Sequence, residues 1–131
     1  ERLPLVCSPV FHPNSRAKYF LEEYPIGNDL GYAYELDSGG STSRHYHLVE
    51  YNIGEDYYWV EGGEQRLILA GEEHLLNCEV PYIFVPPGVV HQSFVPIDSP
   101  PVRTFVRMRN GLLVSKDKRH IRVPETTWEV V

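Results

Sequence analysis

Cysteine is scarce in this chain: Cys7 and Cys78 are the only two in 131 residues. So few thiols in so short a protein exclude a disulfide scaffold. The choice is between one bridge and two free, mostly buried thiols, and we expect the latter. Basic charge is short as well. Twelve Lys and Arg against 18 Asp and Glu leave a formal net charge of -6 and a sequence pI near 5.5. Phosphate recognition needs a basic face, so no nucleic-acid partner is expected. The late cluster Lys116, Lys118, Arg119 and Arg122 reads as a solvated turn. No apolar run reaches the ~18 residues of a membrane span, so no membrane partner is expected and the cytoplasm is the default compartment. No amphipathic helix stands out, and no internal repeat.

Apolar and turn-forming residues, by contrast, are plentiful. Hydrophobic residues make up 42% of the chain, enough to exclude a disordered polymer. Nine Tyr, eleven Pro and ten Gly favour strands and turns over helices. The length suits one domain, and no internal boundary is visible. We read residues 1–131 as a single all-β domain: a core barrel at about 29–108, an N-terminal arm over 1–28 and a C-terminal tail over 109–131. Pro4, Pro9, Pro13 and Pro25 break up the arm, although Ala17 to Glu22 could form a strand.

From residue 29 the pattern is that of short strands. Leu30, Tyr32, Tyr34 and Leu36 alternate with Gly31, Ala33 and Glu35, and a period of two gives a strand with one buried face. Further strands are expected at 43–49, 55–60, 66–70, 74–80, 82–85, 91–95 and 102–108, divided by turn clusters at 37–41, 62–63, 71–73, 86–88 and 96–101. The tail from Leu112 adds one or two more. Many short strands at regular spacing make a sandwich or barrel.

Chemistry concentrates in two places. His45 and His47 flank Tyr46; two apart on a strand, both imidazoles point to one face and can converge on a metal ion. Alone, such a triplet is often only surface polarity. The second place is Pro86-Pro87-Gly88-Val89-Val90-His91, where a rigid corner delivers a histidine onto the start of a strand.

In this order the two segments resemble the cupin family. Gly39 precedes His45 with residues 40–44 between, residues 56–61 separate Glu55 from Gly62, and Pro86, Gly88 and His91 match the second motif. The resemblance covers about residues 29–108 and implies a jelly-roll β-barrel. It implies one divalent transition metal (Fe, Mn, Ni, Co or Zn) held by His45, His47, Glu55 and His91. Leu48 through Gly54 make a longer gap between His47 and Glu55 than the family's, so Glu50 competes as the carboxylate. Glu55 is preferred for its spacing to Gly62, and because Glu50 has the wrong strand parity to share a face with His47. The family's Gly-Asp turn before the second motif is replaced by Val80-Pro81.

Tyr34, Tyr57 and Trp59 are the candidate lining of a substrate pocket, and one inward tyrosine hydroxyl could act as acid or base; Tyr32 is weighed with them. Arg103 and Arg107 are expected to face solvent, and Cys78 to be a small buried side chain. The resemblance implies a metal-dependent enzyme acting on a small organic acid or ring compound, with dioxygenase chemistry leading and isomerase or lyase chemistry as the alternative. A non-catalytic barrel that binds or senses a small molecule such as a sugar is the competing class. A homodimer is implied too.

Overall fold

Alternation decides the central strands. In β2 (Asp29–Leu36) the side chains of Leu30, Tyr32, Tyr34 and Leu36 are buried while Ala33 and Glu35 are half-covered. In β9 (Val102–Met108) Val102, Thr104, Val106 and Met108 turn inward and Arg103, Phe105 and Arg107 outward. The two strands pair antiparallel, Tyr32 opposite Val106 and Tyr34 opposite Thr104, which stacks their inward residues in tiers.

The computed structural model describes residues 17–42, 44–47, 49, 52–111 and 121–122. Besides β2 and β9 the strands are β1 (Ala17–Ile26), β3 (His45–Tyr46), β4 (Glu55–Gly62), β5 (Gln65–Leu69), β6 (Glu72–Leu76), β7 (Tyr82–Val85), β8 (His91–Phe94) and β10 (Ile121–Arg122). They form two five-stranded antiparallel sheets, ordered β1-β2-β9-β4-β7 and β10-β3-β8-β5-β6. Among the described residues there is no α-helix. Leu36, Tyr57, Val102 and Val106 of the first sheet meet Leu67 and Leu76 of the second, and Val95 just past β8, in one core, as in a jelly roll.

Several expectations are refined. Part of the arm, Ala17–Ile26, pairs with β2 as an edge strand of the first sheet. Among the described residues of the strand expected at 43–49, His45–Tyr46 form the strand, with Ser41 forming a separate bridge to Phe94. The strand expected at 74–80 starts earlier and stops at Leu76. There Asn77 Oδ1 accepts the N–H groups of Glu79 and Val80 at 2.9 and 2.8 Å, so residues 77–80 form a turn instead. That turn leaves Cys78 exposed with a free thiol, against the expectation of a buried one. The side-chain amide captures backbone donors that a strand would need.

The outward arginines of β9 carry ion pairs across the sheet. Arg103 reaches Glu35 and Arg107 reaches Asp29, each at 2.7 Å. Arg109, just past β9, holds buried Asp56 at 2.9 Å and lies over the Phe84 ring. These contacts keep charge on the outer face and leave the barrel interior to the groups described next.

Candidate metal centre

Three local devices aim four side chains at one point. Short β3 places His45 inward, opposite His91 in the register of β3 and β8, and His47 follows directly after it. The chain returns through a turn at Asn52, whose φ is 52° and whose N–H bonds the Val49 carbonyl. Gly54 accepts from the Arg109 N–H at 2.8 Å, which anchors the entry to β4 and sets Glu55 as its first residue. On the other sheet the Pro86-Pro87-Gly88 corner, with Gly88 at φ 80°, delivers His91 as the first residue of β8.

The result is a tight, buried cluster. His45, His47, Glu55 and His91 offer ligand atoms that all lie within 4.8 Å of one another, and each residue is no more than 2% exposed. Glu55 Oε1 lies 3.3 Å from His47 Nε2 and 2.8 Å from His91 Nε2. Burial by itself raises a carboxyl pKa, yet positive charge shared with the facing His47 and His91 imidazoles holds that of Glu55 well below the ordinary range.

The donors suit a divalent transition metal. His91 Nδ1 sits 2.9 Å from the Val89 carbonyl; a carbonyl only accepts, so that nitrogen carries the proton and Nε2 presents its lone pair. This backbone contact is the arrangement that fixes the tautomer of metal-binding histidines. His91 Nε2 is buried and makes no hydrogen bond, although a carboxylate oxygen is close. Two lone pairs facing each other at 2.8 Å repel unless a cation or a proton lies between them. Imidazole nitrogens with one carboxylate are a borderline-metal set. The group could hold one metal ion.

Tyrosines surround the carboxylate. The Tyr57 hydroxyl donates to Glu55 Oε1 and the Tyr32 hydroxyl to Oε2, both at 3.2 Å. Tyr32 and Tyr57 both lie opposite Val106, one on each side of β9. Burial first, and then the Glu55 charge, raises the pKa of Tyr57 well above that of a free phenol.

One tier further from the cluster, Gln65 Nε2 donates to the Tyr34 hydroxyl at 2.7 Å, and Thr104 Oγ1 donates to Gln65 Oε1. Ser93 bonds Thr42 in the same buried layer. Burial raises Tyr34 to a pKa of about 12.

The structure therefore brings His45, His47, Glu55, His91 and Tyr57 together. Tyr34 points its hydroxyl into the Gln65 layer, and Trp59 is half-buried with its indole N–H on the Gly63 carbonyl at 2.9 Å, further along β4. Glu50 lies outside the described residues, as do Cys7, His12 and His120. Sequence parity marked Tyr32 as inward but could not supply the register that sets it on Glu55. Gln65, Thr104 and Ser93 were missed. Their signal was a polar residue at an inward position of an otherwise apolar strand, as Thr104 is between Val102 and Val106.

No protein-family model and no curated protein matches this chain. Solved structures do resemble it. A cupin-like protein from Thermotoga maritima superposes with a TM-score of 0.68 at 15% identity, over 97% of this chain and 89% of that one. A cupin 2 domain-containing protein from Halorhodospira halophila gives 0.59 at 16% identity, over 76% of this chain and 61% of that one. The DMSP lyase DddQ from Ruegeria pomeroyi gives 0.57 at 19% identity, over 74% of this chain and 44% of that one. This chain thus matches less than two-thirds of the length of the last two.

Proposed function

We propose that this chain, a barrel of the cupin fold, is a mononuclear metal-dependent enzyme acting on a small organic acid. His45, His47, Glu55 and His91 would hold the ion. The observation that carries the reading is their convergence, buried and within 4.8 Å, with His91 Nε2 and Glu55 Oε1 facing each other at 2.8 Å. Neutral imidazoles and one carboxylate leave a divalent ion with net positive charge, which favours an anionic substrate. Such an ion supplies Lewis acidity, and as Fe(II) an entry for dioxygen.

The chain's own contribution is proton handling and exclusion of water. Tyr57 places a hydroxyl beside Glu55 Oε1, the oxygen nearest the imidazoles, where it can exchange a proton with a bound substrate. Apolar Leu67, Val85 and Val106 are buried around the same core and keep solvent from that exchange. This favours proton-transfer chemistry, a lyase or an isomerase, and the similarity to a DMSP lyase supports the same class. Dioxygenase chemistry on a small acid or ring compound is the second reading; it rests on the donor set and on an equally remote likeness to an oxalate oxidase. A homodimer in the cytoplasm fits both. Tyr58, Val60, Val80 and Tyr82 are exposed near one another on β4 and at β7, which supports pairing with a second copy.

Metal analysis of tag-free protein, beside His47→Ala, tests the reading. About one Fe, Mn, Ni, Co or Zn per chain, lost in the variant, supports it. Turnover of small carboxylates without oxygen then selects the lyase or isomerase class, and oxygen consumption selects the dioxygenase. A wild-type protein that neither contains nor takes up metal overturns the enzyme as proposed.

A further inference from the structure

We propose that Tyr32 is a positioning residue that restricts Glu55 to ligation through one oxygen and so keeps a coordination position open for substrate. The inference rests on the metal reading above and deepens it. The two oxygens of Glu55 are not equivalent. Oε1 faces His47 Nε2 and His91 Nε2 at 3.3 and 2.8 Å. Oε2 instead accepts a hydrogen bond from the Tyr32 hydroxyl at 3.2 Å. Glu55 is 1% exposed and Tyr32 4%, so no bulk water competes for that oxygen.

Tyr32 comes from β2, a strand that contributes no member of the ligand cluster. Its ring is set by the register that places it across Val106 from Tyr57 and by the Tyr34 ring at 6.3 Å. The hydroxyl is therefore aimed by the first sheet's own packing and does not depend on a ligand to place it.

A carboxylate can offer a cation one oxygen or both. A buried acceptor deprived of its donor bears a desolvation cost. With Tyr32's hydroxyl removed, Oε2 relieves that cost by rotating toward the ion. Two-oxygen ligation then fills a position that a substrate or water would otherwise take. Tyr57 acts differently, because its hydroxyl meets the inner oxygen, Oε1.

Mn(II) binding read by water-proton relaxation separates the possibilities, because the relaxation enhancement counts exchangeable water on the bound ion. Tag-free wild type, Tyr32→Phe and Tyr34→Phe are titrated with Mn(II), with thermal melts confirming that each is folded. Tyr32→Phe keeps the packed ring. It is expected to bind Mn(II) while its enhancement falls by about half, as one of two open positions on a six-coordinate ion is filled. Tyr34→Phe, whose hydroxyl bonds Gln65 and not Glu55, is expected to match wild type. Folded Tyr32→Phe that binds Mn(II) with the wild-type enhancement overturns the assignment, as does folded Tyr32→Phe that binds no Mn(II). Wild type that takes up none of Mn(II), Fe(II), Co(II), Ni(II) and Zn(II) overturns the metal site itself, a result distinct from both.

Discussion

His91 presents its two ring nitrogens to opposite partners: Nδ1 to the Val89 carbonyl at 2.9 Å and Nε2 to Glu55 Oε1 at 2.8 Å. The first contact fixes the tautomer, and the second places a lone pair against a carboxylate. A cation between them turns repulsion into two attractions, so metal binding should stabilise the fold. At a hundredfold excess over Kd the gain is about 2.7 kcal/mol, or roughly 5–15 °C in Tm for a domain of this size. The expected outcome is a metal-dependent rise in Tm for wild type and none for His91→Ala. A melt that does not respond to Zn(II), Mn(II), Fe(II), Co(II) or Ni(II) would count against the site.

Tyr57 supplies the proton-handling hydroxyl in the proposed chemistry. Tyr57→Phe leaves all four ligands and the buried ring in place. It should stay folded and keep its metal content while kcat falls about 10²–10⁴-fold, the usual range for losing a positioned acid or base. Metal analysis beside steady-state kinetics on the substrate identified by the screen checks this. A variant with wild-type kcat removes Tyr57 from the chemistry.

Much of this architecture was legible because its causes are local. Leu30, Tyr32, Tyr34 and Leu36 announce β2 by parity alone, and Pro86 through His91 announces a corner and a delivered histidine. His45 and His47 were readable for the same reason. What escaped depends on register or on a competing local bond. The shared position of Tyr32 and Tyr57 opposite Val106 is fixed by strands far apart in sequence. The early end of β6 comes from Asn77 Oδ1 capturing backbone donors, a choice that β-propensity at residues 78–80 does not reveal. Gln65 looked like an ordinary polar residue at a strand start, yet it is fully buried between Tyr34 and Thr104.

Asp56 should make the protein acid-sensitive. Its burial raises the carboxyl pKa, but hydrogen bonds from Arg109 and Tyr82 outweigh this and lower it from 3.8. A folded-state pKa below the unfolded value means that the unfolded chain binds the proton more tightly. The contribution is therefore fully present above the unfolded value of about 3.9 and is lost as pH falls through the folded one. Asp29, lowered for a similar reason by Asn110 and Arg107, adds in the same direction. Asp56→Asn should flatten the fall in Tm below about pH 4, measured by melts across the acid range. An unchanged acid profile would show that this pair does not couple to folding.

Gly62 closes β4 at φ 108°, where a Cβ would meet the Pro101 carbonyl oxygen at 2.1 Å and Val102 Cα at 3.0 Å. Both obstacles are backbone, so no side chain can swing aside. The close approach comes from β9, which pairs Val102 with Gly62 just after a register shift between Trp59 and Glu61. Gly62→Ala must therefore displace the strand entry or leave the pairing. The backbone conformation alone costs about 1–3 kcal/mol, and the clash adds to it. Gly71 at φ 85° has nothing within 4 Å of its would-be Cβ, so Gly71→Ala isolates the conformational cost. Urea unfolding should show Gly62→Ala as clearly the less stable of the two. Equal losses would mean that the chain opens freely at Pro101 and that Gly62 is required only for its dihedral angles.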